Sequence, residues 1–152
     1  MSKKLKVNTG VVEYDINGAI KVRFNPTDAM FIERFYKTFD DLEKQQGEFQ
    51  KRVDEIGDDG AAMFAYASER DEEMRGIVDS LLGEGVSAAL FGNMNCYALA
   101  DGMPVWVNLM FAIAEEVADS TDREFAKGDP RLKTYSKKYE AMAKKYRKKP
   151  AK

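Results

Sequence analysis

Residues 25–56 read NPTDAMFIERFYKTFDDLEKQQGEFQKRVDEI, and the fold class turns on how this stretch is read. After Pro26 it contains no proline, and only Gly47 weakens it as a helix. Ile32, Phe35, Phe39, Leu42, Phe49, Val53 and Ile56 recur at alternating intervals of three and four, with polar Gln46 filling the one gap. That spacing predicts a long amphipathic helix with a heptad-like apolar seam. Asn25 is a candidate N-cap, Pro26 suits the first helical position, and the Asp28 carboxylate falls near the free N–H groups of the first turn. Such a seam needs a partner, which is either the next helix of the same chain folding back or a second copy in a homo-oligomer.

Outward from this helix, the preceding residues read as a β-hairpin. Val11–Ile16 and Ala19–Phe24 are rich in β-branched and aromatic residues and flank Asn17-Gly18, a dipeptide that tolerates the positive φ angles of a type I′ turn. A hairpin alone is marginal in water, so this one must lie on the helices. Downstream, Gly57-Asp58-Asp59-Gly60 makes a turn. A second helix from about Ala61 to Leu82 carries Phe64, Ala67, Met74, Ile77, Val78 and Leu81 on its apolar face and ends at Gly83-Glu84-Gly85. Val86–Phe91 reads as a short helix and residues 92–97 as turn-rich. Asp101-Gly102-Met103-Pro104 reads as the start of a third long helix, which runs from Val105 to about Phe125 with Val107, Leu109, Met110, Ile113 and Val117. Gly128-Asp129-Pro130 breaks it. Tyr135, Tyr139, Met142 and Tyr146 then follow at intervals of four, three and four among lysines, the pattern of a basic amphipathic helix. The expectation is a mainly α fold: an N-terminal β-hairpin on a bundle of three principal helices over residues 1–128, and a basic helix or flexible tail over 129–152.

The composition narrows the chemistry. With 152 residues, 44 % of them apolar and 33 % charged, the chain has the size and make-up of one globular domain with a heavily charged surface. It contains no histidine, which removes Ser-His-Asp and Cys-His catalysis and His-based zinc sites. Carboxylate and magnesium chemistry survive, so enzymes are disfavoured as a class. The single cysteine, Cys96, rules out an internal disulfide. The basic N-terminus lacks the apolar stretch of a signal peptide, and no apolar run approaches the roughly 18 residues of a membrane span; the expected location is the cytoplasm. The net charge of −2 conceals an asymmetry. Residues 131–152 hold ten Lys/Arg and one acid, Glu140, leaving 14 of the 24 basic and 25 of the 26 acidic residues in the rest. An acidic body with a basic end directs attention to a polyanion or an acidic partner.

Several local motifs dissolve on inspection. Gly83-Glu84-Gly85-Val86-Ser87-Ala88 matches a dinucleotide-binding fingerprint in letters, but that chemistry needs a strand before the first glycine, and a helical segment stands there. The acids and amides around Asp58, Asn93 and Asp119 lack the alternating ligand spacing of a calcium loop. Cys96 has no neighbour in sequence that would activate a thiolate. Glu72-Glu73 and Glu115-Glu116 read as solvated helix faces, and no catalytic carboxylate pair stands out. No cofactor or metal is expected.

The order of elements nevertheless has a counterpart. Tyr14-Asp15-Ile16-Asn17-Gly18 leads into Val22-Arg23-Phe24-Asn25-Pro26-Thr27-Asp28 and a long helix; Leu90-Phe91-Gly92 and Tyr97-Ala98-Leu99-Ala100-Asp101-Gly102 precede the Pro104 to Ala118 helix. In this, residues 11 to 118 resemble the small proteins encoded in the tail-morphogenesis modules of long-tailed bacteriophages and prophages, the tail assembly chaperones. The resemblance lies in element order and loose motif, and the basic end falls outside it. It implies a non-enzymatic helper that binds the tape-measure protein and tail-tube subunits in the bacterial host cytoplasm. It also implies an extended form made by ribosomal frameshifting near the end of the gene.

The expected function is accordingly that of a phage tail assembly chaperone. Phe35, Phe39, Leu42 and Phe49 are the candidate partner-binding residues, each of which is otherwise simply core. The alternative is a nucleic-acid-binding accessory protein, with Lys137, Lys138, Lys144, Lys145 and Arg147 contacting phosphates and the tyrosines stacking on bases. A membrane role for the same amphipathic helix is not expected, since its tyrosines fall on one stripe, as they would if they pack on protein.

Overall fold

The computed structural model describes residues 1–127, apart from the Leu42 side chain, and residues 137, 141 and 143–145 beyond them. The described chain is mainly helical: β1 (Val12–Ile16), β2 (Ile20–Phe24), α1 (Ala29–Ile56), α2 (Gly60–Leu82), α3 (Val86–Phe91), β3 (Leu99–Ala100), β4 (Met103–Pro104) and α4 (Val105–Lys127). The fold class expected from the sequence is the one observed.

β1 and β2 pair antiparallel with Tyr14 opposite Val22 and Ile16 opposite Ile20. Asn17 and Gly18 take φ of 56° and 67°, as a type I′ turn requires, and the Asp15 carboxylate accepts the Gly18 N–H at 2.9 Å. Alternation does the rest. Tyr14, Ile16, Ile20, Val22 and Phe24 face the helices, while Glu13, Asp15, Lys21 and Arg23 face outward, with opposite charges paired across the strands. An aromatic ladder continues the inner face into α1. Tyr14 stacks on Phe24 at 4.7 Å, Phe24 on Phe31 at 4.3 Å, and Phe39 meets the edge of Phe35 at 5.1 Å.

α1 starts later than the sequence indicates. Its N-cap is Asp28, whose carboxylate accepts the Met30 N–H at 3.0 Å. Asn25 does not cap the helix. Its side-chain oxygen accepts from the Thr27 N–H at 2.8 Å and the Thr27 hydroxyl at 2.7 Å, and its amide donates to the Thr9 carbonyl at 2.8 Å. Asn25 organises a turn that joins the hairpin to the helix, and Pro26 is buried within it. Gly57, at φ 61°, ends α1 by donating to the Val53 carbonyl, and Asp59 caps α2. Residues 99–104 also depart from expectation. They are not the first turn of a helix but a second small hairpin, turned by Asp101 and Gly102 at positive φ.

The core lies at one end of the molecule. Val22, Phe31 and Phe35 meet Met74, Val78 and Leu81 from the last turns of α2, Val86 and Phe91 from α3, Cys96, and Trp106, Leu109, Met110, Ile113 and Val117 from α4. No residue of known burial between 40 and 56 is buried. The distal half of α1 and the first half of α2 therefore form a two-helix arm, joined by half-buried side chains and by contacts such as Phe49 against Tyr66 at 6.0 Å. The heptad-like seam thus divides along its length, with Phe35 at 0 % exposure in the core and Phe49 half-buried on the arm. Phe35→Ala is expected to cost about 3–5 kcal/mol of stability. Phe49→Ala, which empties no closed cavity, should cost about 1–2 kcal/mol. Urea unfolding of the two variants reads the difference directly.

Candidate functional site

The site is built from a polar clamp. Asp71 and Arg75, one turn apart on α2, pair at 3.0 Å with both side chains mostly buried. The other Asp71 oxygen accepts the Cys96 N–H at 2.7 Å. Arg75 Nη2 donates to the Gly92 carbonyl at 2.7 Å and to the Met94 carbonyl at 2.6 Å. The Asn95 amide adds a bond to the Ala67 carbonyl at 3.1 Å. Residues 92–97 are thereby fixed along α2 without secondary structure of their own. Burial alone would raise the Asp71 carboxyl, but the Cys96 N–H and the Arg75 guanidinium outweigh it and hold it below the usual carboxylate value. Burial and the adjacent Asp71 carboxylate push the Cys96 thiol up to about 12, so this fully buried thiol stays protonated and is no nucleophile.

The clamp delivers Tyr97 to a groove of about 750 Å³ between the arm, α2 and the start of α4. Arg70 of α2 lines it. The guanidinium carbon sits 3.9 Å from the Phe49 ring centroid and 3.9 Å from that of Tyr97, so the cation is held between two aromatic faces. Arg52 lies 5.0 Å over Tyr66, and Trp106 meets Tyr97 edge-on at 5.9 Å. Among the described residues Arg70 has no salt-bridge partner. The Trp106 Nε1–H is buried without an acceptor. Burial pushes the Tyr97 phenol up, and the Arg70 cation beside it pulls it partly back. The result is an open, aromatic-walled groove with a fixed, planar cation. Its aromatic faces suit an apolar segment, and its lining carries both signs of charge, Arg52 and Arg70 beside Glu48, Glu69 and Glu73.

The residues singled out in the sequence separate here. Phe49 lines the groove. Phe35 is fully buried, and Phe39 packs part-buried against the core, edge-on to Phe35. Leu42 lies on α1 between them and the groove; its side chain is outside the described residues. Lys137, Lys144 and Lys145 are helical and exposed, and Lys138 and Arg147 lie outside the described residues. Arg70, Tyr97 and Trp106 were not apparent as site residues from the sequence. The one signal that pointed that way was their type, since Arg, Tyr and Trp are the residues most enriched at binding hot spots.

No group of three or more acidic, cysteine or histidine side chains among the described residues is placed to hold a metal ion. No described helix is long and apolar enough to cross a membrane. No family model matches the chain, and no curated protein or solved structure matches it.

The clamp has a pH signature. A carboxyl held below its ordinary value of 3.8 contributes stability that is complete above that value and is lost as pH falls through the lower folded-state value. Asp71→Asn should therefore destabilise the protein by about 1–3 kcal/mol at pH 7. Its deficit against the wild type should shrink as pH falls below 3.8 and through the lower folded-state value, below which both side chains are neutral. Denaturant midpoints for the two proteins, measured between pH 2.5 and pH 7, check the sign.

Proposed function

We propose that this chain is a non-enzymatic binding protein of phage tail assembly, acting in the bacterial host cytoplasm. On this reading it holds a segment of the tape-measure protein or a tail-tube subunit in the groove between the arm, α2 and α4. The observation that carries the reading is Arg70, whose guanidinium carbon lies 3.9 Å from the ring centroids of both Phe49 and Tyr97 in an open groove. It makes no salt bridge among the described residues, although Glu48, Glu69 and Glu73 also line the groove. A partner helix laid along the groove would cover the half-buried Phe49 and Tyr97 rings, and a carboxylate on it would meet the guanidinium edge. The arm has only half-buried apolar side chains at its contact, which leaves it apolar surface to bring to the same partner. The link to tail assembly rests on the resemblance in element order over residues 11 to 118.

The test is co-expression of the tagged full chain with its genomic neighbours, followed by recovery at low and at high salt with nuclease added. A long helical neighbour should be retained through both treatments. Arg70→Ala and Phe49→Ser should each reduce its recovery about tenfold, the effect of losing a contact of roughly 1.4 kcal/mol. Phe64→Ser, on the arm but outside the groove, should not. Recovery of nucleic acid alone, lost as salt rises, would overturn this reading and transfer the function to Lys137, Lys138, Lys144, Lys145 and Arg147.

A further inference from the structure

The residues ahead of β1 have the pattern of a strand and no partner for it. Lys4, Leu5, Lys6, Val7 and Asn8 alternate polar and apolar, the period of a strand with one face buried. Yet residues 1–11 belong to no sheet and are exposed throughout, Leu5 at 89 % and Val7 at 78 %. The point from which they leave the fold is fixed. The Asn25 amide donates to the Thr9 carbonyl at 2.8 Å, and the Gly10 N–H donates to the Asn8 side chain at 2.9 Å. Gly10, at φ 71°, lies so near Asn25 that a Cβ on it would stand 2.7 Å from the amide nitrogen. The backbone groups that a turn back onto the same chain's β1 would draw on are thus already held by side chains.

β1 offers an open edge. The hairpin is a sheet of two strands, of which β2 packs against α2 and α3. Apart from its pairing with β2 and the turn bond from Ala19 to Ile16, β1 makes no backbone hydrogen bond among the described residues. Unpaired N–H and C=O groups along such an edge are a template for another strand. Charge selects the strand that fits. The outer face of β1 carries Glu13 and Asp15, and that of β2 carries Lys21 and Arg23. A strand with Lys4 and Lys6 on its outer face is attracted to the first edge and repelled by the second. An antiparallel pairing that sets Lys4 opposite Asp15 and Lys6 opposite Glu13 also sets Leu5 opposite Tyr14 and Val7 opposite Val12. The two apolar residues then extend the inner face of the hairpin.

We propose that residues 4–7 of one copy of this chain add as a third strand to the β1 edge of a second copy, and that the exchange is reciprocal. One register serves both directions, Lys4 of each copy meeting Asp15 of the other. That is the self-complementary contact of a two-fold dimer, and it closes at two copies. Exchange gives the hairpin the third strand that a two-stranded sheet lacks. The β1 edge and the groove have no residue in common, so neither reading depends on the other.

Sedimentation equilibrium of the full chain tests the exchange. The mass should rise with concentration from 17.2 kDa to twice that value and no further. A chain still monomeric at about 1 mM, or one that grows beyond two copies, would overturn the proposal. Lys6→Glu, at an exposed position outside the core, should raise the dissociation constant at least about tenfold, because it sets one acid against another. Glu13→Lys should do the same, and the double variant should return to within about threefold of the wild type. A dimer indifferent to both single changes, or a double variant no tighter than the single ones, would overturn the pairing. Amide hydrogen exchange separates a strand given to another copy from one folded back. Protection of residues 4–7 should increase with protein concentration in step with the dimer. Protection already complete in the monomer would place the strand on its own β1 and overturn the exchange.

Discussion

The bonds that Asp71 and Arg75 make to the backbone of residues 92–96 hold the two halves of the fold in register. An isolated ion pair on a helix surface contributes little, and the exposed Arg52–Glu69 pair at 3.7 Å belongs in that category. Asp71 and Arg75 differ because their polar atoms serve a loop. One carboxylate oxygen accepts the Cys96 N–H, and one guanidinium nitrogen donates to the carbonyls of Gly92 and Met94. Removing Asp71 would leave the N–H of the buried Cys96 without its acceptor, which costs more than the pair's own attraction. The consequences run downstream. The Cys96 carbonyl accepts the Trp106 N–H at 3.2 Å, and the Ala98 carbonyl accepts the Val105 N–H at 2.8 Å. The start of α4 is thereby tied to the same loop, and Tyr97 is set against Arg70.

The hairpin is held by different means. Two strands do not stand alone in water, and here the aromatic ladder from Tyr14 through Phe24 to Phe31 and Phe35 carries their inner face into the core. The Tyr14 hydroxyl donates to Glu116 of α4 at 2.9 Å. Burial, followed by the Glu116 carboxylate, pushes this phenol up to about 12, so it is a donor at neutral pH. One side chain thus joins the first strand to the last helix. The arm has no such tie. Its contacts are half-buried, and a region with few buried apolar contacts opens at lower free energy than the core around it.

The parts of the fold that could be read in advance are those governed by neighbours in sequence. Asn17-Gly18 declares a turn because few other dipeptides hold two positive φ angles, and the long helices declare themselves by period. Period gives the face of a helix but not its depth, so Phe35 and Phe49 look alike on one seam although one is core and the other lines a groove. Asp71 and Arg75 were invisible because an acid four positions before a base on a helix is also the commonest pattern of a solvated face. Asn25 and Asp28 are both good caps, and only the Thr9 carbonyl, sixteen residues back, decides that Asn25 makes the turn. The hairpin at 99–104, with strands of two residues each, offers no run long enough to show a period. The groove draws on residues 45–52, 66–73 and 97–107, and no local pattern brings those together.

The way Arg70 is held bears on what the groove can do. A free arginine side chain loses about 2 kcal/mol of rotamer entropy when a partner immobilises it. Here the rings of Phe49 and Tyr97 already confine the guanidinium to one plane, so most of that loss belongs to folding and little of it to binding. The two rings have different supports. Tyr97 is carried by the clamped loop and is as fixed as the core, while Phe49 rides on the arm, whose packing is thinner. A movement of the arm would remove one face of the sandwich and leave the other in place. On the proposed reading, a partner that contacts both rings would favour the arrangement of the arm seen here by its own binding.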